Sequence, residues 1–458
     1  MRTVLLAFVT LSLMDAVRSA RNRAQGLPIG FDFRAFGLAL ASWIAIFVSI
    51  RFTWLIVFPL LYVFPRINLP PVGRAFIAGI ATLVLAGWFV LSVPIQTKIA
   101  WLQTHWSAYL STPFRVHKFH AEGVSRLADS GLAGRVFNPY WMGGFISYWL
   151  GPDVQVFVDG RTEHYSTDVY LDYSAITTMD RRPPNKDFID ILRDHEVNLF
   201  FGVGYPGWFL EMDTVRHLEN APGWLLISRS YRHAIYLRAD DIENANRVVA
   251  HYQELGVPFD KKAGLDIDRV VDEQPAWAAR TTLLPRDYAD RRAQAKAGSS
   301  EAMHDLAVIY SLIGAYRHAI ETDRRLLAKN GQNTEASVRL LHNLLRVDRL
   351  REARDLLDAL PPNQQWAVFN GRARHALSLL EKQLAPPRSE DAQIVRNRVL
   401  KDLFLVSPTR TWRLEFSFDT QQFADALTAH RGRASVTELE GSPPRQDLVF
   451  HQTPPKRD

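Results

Sequence analysis

The sequence contains no cysteine. That excludes disulfide staples, a thiol nucleophile and cysteine-ligated zinc. It has no polybasic run either, although basic residues outnumber acidic ones to give a formal net charge of +6. The excess is scattered arginine, which reads as a solvated basic surface and not as a nucleic-acid footprint. No nucleic-acid partner is expected. Gly143-Gly144 lies in no Walker pattern, and no Gly-x-Ser-x-Gly elbow is present. No cofactor is expected, and no catalytic set stands out.

Long apolar runs are present, all near the start. Residues 3–14 are apolar and follow Arg2. The AVRSA that comes next puts arginine where a signal-peptidase site needs a small residue, so an uncleaved membrane segment is the reading. Phe36 to Phe64 is almost continuously apolar and longer than the ~20 residues a bilayer core needs. Arg51 sits near its middle, where a charge is paired, faces a cavity or marks a break. Pro65 to Gly73 reads as a turn, and Ala75 to Pro94 as a second span. A single crossing by 36–64 puts the soluble part in the cytoplasm by charge bias; a re-entrant break at Arg51 puts it outside.

Arg135 to Tyr165, RVFNPYWMGGFISYWLGPDVQVFVDGRTEHY, is the most specific stretch. Val136-Phe137 reads as a short strand ended by Asn138-Pro139. Trp141 to Leu150 has helical length, Gly151-Pro152-Asp153 breaks it, and Val154 to Val158 reads as a buried strand. Strand, helix and strand within ~30 residues match a βαβ unit, whose ligands sit beyond the strands' carboxyl ends. Asn138 and Asp159-Gly160-Arg161 fall there. Further strands are expected at 197–203, 224–229 and 233–238, with a helix over 208–219. Together they make a small α/β domain of four or five strands.

This stretch resembles the soluble C-terminal part of bacterial polyprenol-phosphate-sugar glycosyltransferases of the GT-C type, protein O-mannosyltransferase-like. Their "VFN…GGYL…P…VFIDGR…Y" pattern is matched by Val136, Phe137, Asn138, Gly143, Gly144, Phe145, Pro152, Val156, Phe157, Val158, Asp159, Gly160, Arg161 and Tyr165. The resemblance covers about residues 75–240. It implies a bacterial inner-membrane location, a periplasmic soluble part and a polyprenol-phosphate-linked sugar as ligand. The family's long membrane domain, which carries its acidic catalytic residue, has no counterpart here. That points to a non-catalytic descendant or an accessory subunit.

After Asp240 the texture is helical and polar. Leu306, Ala307, Tyr310, Gly314, Tyr316 and Ala319 fit tetratricopeptide spacing, and Leu340, Leu341, Leu344, Asp348, Leu350 and Ala353 follow one 34-residue period later. A third copy near Gln364 is weak, with Arg374 where leucine belongs. The chain reads as a membrane α-helical N-terminal segment (1–110), a small α/β domain (111–240), an all-α tetratricopeptide-like region (241–406, best over 300–360) and an irregular, partly disordered tail (407–458).

The candidate ligand-binding residues are Asn138, Gly143, Gly144, Asp159, Arg161, Glu163 and His164. Most have a plainer alternative. Asp159 and Arg161 would form a salt bridge across a sharp turn, Asn138 would bond the backbone, and Gly143-Gly144 would allow close packing. Glu163-His164 beside Asp159 would form an acid/base pair, but nothing fixes their geometry. His117, His120 and Glu122 lack a further matched ligand, so no metal is expected. Tyr310, Tyr316 and Asn343 are the partner-binding candidates. The expected function is a membrane-anchored extracytoplasmic scaffold that holds another protein of a membrane complex, with membrane lipid as a further partner. The alternative is a glycosyltransferase remnant or accessory subunit acting on a polyprenol-phosphate sugar.

Overall fold

The computed structural model describes residues 116–161, 165–182, 186–204, 213–360, 367–382, 389–405 and 422–431, with isolated positions before residue 42. The chain divides into two units, Met1–Trp106 and Ser107–Asp458. Nearly all of the described residues belong to the second unit.

Among those residues, the second unit opens with α1 (Val116–Phe119) and α2 (Ala121–Asp129), then β1 (Gly134–Phe137), α3 (Gly143–Leu150), β2 (Val154–Val156), α4 (Thr167–Thr178), α5 (Phe188–Asp194) and β3 (Val197–Val203). β4 (Trp224–Arg229) and β5 (His233–Arg238) form a hairpin; α6 (Ile242–Glu254), β6 (Phe259–Asp260) and β7 (Gly264–Leu265) follow. Helices complete it: α7 (Ile267–Glu273), α8 (Pro275–Arg280), α9 (Tyr288–Lys296), α10 (Ser300–Ile313), α11 (Tyr316–Lys329), α12 (Thr334–Arg346), α13 (Leu350–Ala359), α14 (Ala367–Lys382) and α15 (Glu390–Leu405). Residues 422–431 are also helical.

The strands make one mixed sheet in the order β2-β1-β3-β5-β4-β7-β6. β1 runs parallel to both β2 and β3, while β5 is antiparallel to β3 and β4. Side chains alternate across the pleat. Leu199, Phe201, Ile235 and Leu237 enter one core; Phe200, Ala234 and Tyr236 enter the other. Both faces are therefore covered, which is why β3 reads as a continuous apolar run.

The structure corrects two expectations. The membrane α-helical N-terminal segment is not seen: among the described residues no helix is long and apolar enough to cross a membrane. The expected spans at 36–64 and 75–94 lie outside the described residues. Nor is there a small α/β domain followed by a separate all-α region. The sheet has seven strands and takes β6 and β7 from beyond residue 240. Its larger core runs from Ala121 through Leu306, Tyr310 and Ala319 to Leu427, so α10, α11 and the 422–431 helix pack with the sheet. β6 and β7 are two residues each, too short to carry an alternating pattern.

The helix pairs α10–α11 and α12–α13 start at Ser300 and Tyr316, then at Thr334 and Leu350. Local signals set their ends. Ser299 accepts from Ala302 N at 3.2 Å to open α10, and Gly314 closes it at φ 86°. Ala319 and Ala353 are fully buried on α11 and α13. Arg374, on α14, pairs with Asp358 at the surface. A third core, from Ile320 through Leu341 and Phe369 to Leu403, joins α11 to α15.

Candidate functional site

The strand-end motif is closed on itself. Asn138 is wholly buried at the end of β1. Its Oδ1 accepts from Phe157 N at 3.0 Å, and its Nδ2 donates to Val158 O at 2.8 Å and Pro139 O at 2.9 Å. The amide therefore ties β1 to the end of β2. Asp159 is buried, and its carboxylate accepts from Arg161 N and Arg161 Nε, each at 2.9 Å, and from Nη2 at 2.5 Å. Burial pushes this carboxyl up, but the bonds from Arg161 outweigh it and hold it below its usual range. A Cβ at Gly143 would stand 2.2 Å from Val158 O, so α3 needs glycine there to start. At Gly144 a Cβ would meet nothing within 4 Å. Glu163 and His164 lie outside the described residues.

The partner-binding candidates are interior. Tyr310 Oη meets Tyr288 Oη at 2.9 Å, and Asn343 Nδ2 donates to Ser311 Oγ at 2.7 Å. Tyr316 Oη reaches both oxygens of Glu219 at 2.8 Å. Arg229 and Arg346 also donate to that carboxylate, at 2.8 and 3.0 Å, and Arg216 stands 3.8 Å away. From α15, Asn397 and Gln393 bind Glu219 O at 2.9 and 3.2 Å. The face these helices would offer a peptide is filled by the chain's own residues 214–219. A helix was expected over 208–219; residues 208–212 lie outside the described residues, and residues 215–220 form turns, pinned by these distant side chains.

Sequence reading also missed a cluster. His120 sits between α1 and α2 in the left-handed region, at φ 47° and ψ 49°. Glu122 is in the first turn of α2, and His233 begins β5. All three are buried. Glu122 Oε1 lies 3.5 Å from His233 Nδ1 and 4.0 Å from His120 Nδ1. A Cβ at Gly123 would stand 2.5 Å from the Phe201 ring, so glycine lets α2 lie close on the sheet. Burial pushes the Glu122 carboxyl up, but the hydrogen bond from His233 and the charges of His233 and His120 bring it down to about 2. The usable signal was His120 and Glu122 on one turn; nothing local pointed to His233.

Two further features are accounted for by packing. Gly202-Val203-Gly204-Tyr205-Pro206-Gly207, at the end of β3, has the formal spacing of a dinucleotide loop. A Cβ at Gly202 would meet Thr214 O at 2.5 Å, and one at Gly204 would meet Asp213 Cα at 2.6 Å, so these glycines admit the returning chain. A pocket beside Trp224 is lined by Arg193, Arg238, Asp240 and Glu390, whose charges are already paired: Arg193 with Glu390, Arg238 with Asp240.

Comparison with protein-family models found no match, and searches of curated proteins and of solved structures found none.

Proposed function

We propose that this chain is a non-catalytic interaction scaffold that holds another protein. One observation carries the reading: the polar groups at the sheet's ligand-binding end, Asn138 and Asp159, are bonded within the chain. A catalytic or sugar-binding site needs such groups aimed at a ligand. Here they hold a turn.

The surface that suits a partner is α3 and the residues before it. Tyr148 is 55% exposed and Tyr140 37%, with Trp141, Phe145 and Trp149 half-buried beside them. Arg431 lies over the Tyr148 ring, 3.6 Å from its centre. Exposed tyrosine beside half-buried tryptophan and arginine is the composition of a protein–protein contact. The reading keeps the partner-holding role expected from sequence but moves it from Tyr310, Tyr316 and Asn343 to α3, and it requires no membrane anchor. The lipid-linked-sugar alternative and a periplasmic location rest on the motif resemblance alone.

The test compares the full chain with Tyr148→Ala and Tyr140→Ala in crosslinking and affinity purification from native cells. A specific partner lost in both variants supports the reading. Transfer of sugar from a polyprenol-phosphate donor, abolished by Asp159→Asn in a protein that stays folded, would overturn it.

A further inference from the structure

The cluster of His120, Glu122 and His233 has the make-up of a metal site, and we infer that it binds one divalent transition-metal ion of the zinc class. The three ligand atoms all lie within 4.8 Å of one another. Around a tetrahedral zinc, with bonds of about 2.0–2.1 Å, ligand atoms stand about 3.3 Å apart. The observed Glu122–His233 and Glu122–His120 separations, 3.5 and 4.0 Å, need small side-chain rotations to reach that.

Four observations point to an ion and not to a chance contact. The donor set, two imidazoles and one carboxylate, is one that zinc takes. Glu122 Oε2 is buried with no hydrogen-bond partner, which is costly for a carboxylate oxygen unless something else binds it. The remaining two concern His233 and His120.

Ser230 Oγ accepts from Arg232 N at 3.1 Å and from His233 N at 3.2 Å, and it stands 2.8 Å from His233 Nδ1. A bound metal takes Nδ1 by its lone pair, in place of the proton that Nδ1 otherwise shares with Glu122. Nε2, 3.3 Å from Ser228 Oγ, then holds the proton. A ligating histidine that donates its other N–H to a fixed acceptor is the usual outer-shell arrangement.

His120 takes left-handed backbone, uncommon outside glycine, asparagine and aspartate. Its ring Nδ1 lies 4.0 Å from Glu122 Oε1. Strain of this kind is kept where the surroundings impose it, and sites are such places. The ion would pin the α1–α2 junction to β5. It goes beyond the scaffold reading and does not depend on it.

The probe is zinc alone, with the full chain. The protein is stripped with a chelator, given Zn²⁺ and desalted, and metal is counted. The inference expects one zinc per chain, and visible bands of tetrahedral Co²⁺ when cobalt replaces it. His120→Asn, which tolerates the left-handed backbone, and Glu122→Gln should lose the ion; Ser228→Ala should loosen it about tenfold to a hundredfold. Zinc should also raise the melting temperature of the parent chain but not of His120→Asn. Folded parent protein that retains no zinc and melts unchanged with it would overturn the inference and leave a histidine–glutamate ion pair. Equal zinc in parent and His120→Asn would overturn it too, by placing the metal elsewhere.

Discussion

Tyr316 donates its hydroxyl to Glu219 at 2.8 Å, joining the first turn of α11 to the loop that precedes β4. Glu219 is the only carboxylate among the described residues that faces Arg216, Arg229 and Arg346 together. The cluster thus carries more positive than negative charge out of water, and Glu219 is what makes it tolerable. Glu219→Gln should destabilise the unit by about 3–5 kcal/mol, the cost of uncompensated buried charge. Tyr316→Phe removes one hydroxyl and should cost about 1–3 kcal/mol. Urea unfolding of both variants checks the order; equal midpoints for Glu219→Gln and the parent would contradict it.

The same carboxylate predicts acid sensitivity. Burial pushes the Glu219 carboxyl up, but the charges of Arg229, Arg216 and Arg346 bring it from 4.5 down to about 2. A depressed folded value means stability that is fully present above about pH 4.5 and is lost as pH falls towards 2. Linkage puts the loss at roughly 3 kcal/mol. Glu122 behaves alike. The stability of the parent should fall steeply between pH 4.5 and 2, and that of Glu219→Gln should fall less. Parallel curves for the two would show that Glu219 does not drive the transition.

Much of the sheet was legible in the sequence, and the site was not. VNLFFGV, WLLISR and HAIYLR are β-branched and aromatic runs, and they form β3, β4 and β5 over the expected residues. The Asp159–Arg161 pair was legible as turn chemistry because its partners are near in sequence; Asn138 was legible as a residue that bonds backbone, but not its partners Phe157 and Val158, 19 and 20 residues on. β6 and β7 were not, being set by what they lie beside. Nor was His233, which reaches Glu122 only because β5 sits between β3 and β4 under α2. Glu219 is the same case: its partners come from β4, α11 and α12, and no local pattern joins them.

Gly143 and Gly144 are neighbours with opposite demands. An alanine at Gly143 would drive its Cβ into Val158 O and Asp159 Cα, at 2.2 and 2.7 Å, and backbone cannot yield cheaply. Gly143→Ala should lower stability by about 1–3 kcal/mol, as overpacking does. At Gly144 the space is open and the residue is helical, so Gly144→Ala should be neutral or stabilise by about 0.5–1 kcal/mol. Thermal melts of the two single variants decide it; a loss at Gly144 equal to that at Gly143 would refute the packing account.

Asp323 and Arg339 bridge α11 to α12 with both side chains wholly out of water. Arg339 Nε lies 3.1 Å from each carboxylate oxygen, and Nη2 lies 2.5 Å from Oδ1. Arg339 Nη1 has no hydrogen-bond partner. Burial pushes the Asp323 carboxyl up to about 6 even with the guanidinium against it, so desolvation outweighs attraction at this pair. Breaking the pair and replacing it should therefore differ in sign. Asp323→Leu leaves a buried guanidinium alone, and Arg339→Met leaves a buried carboxylate alone; each should cost about 3–5 kcal/mol. The double variant leaves neither, and its side chains are apolar like Ile320, Val338 and Leu341 in the surrounding core. It should match the parent or exceed it by about 1–4 kcal/mol. The coupling between the two positions is then larger than either single loss. Denaturant unfolding of the parent, the two singles and the double measures it. A double variant as unstable as either single would mean that the ion pair, and not the filling of the space between α11 and α12, holds the helices together.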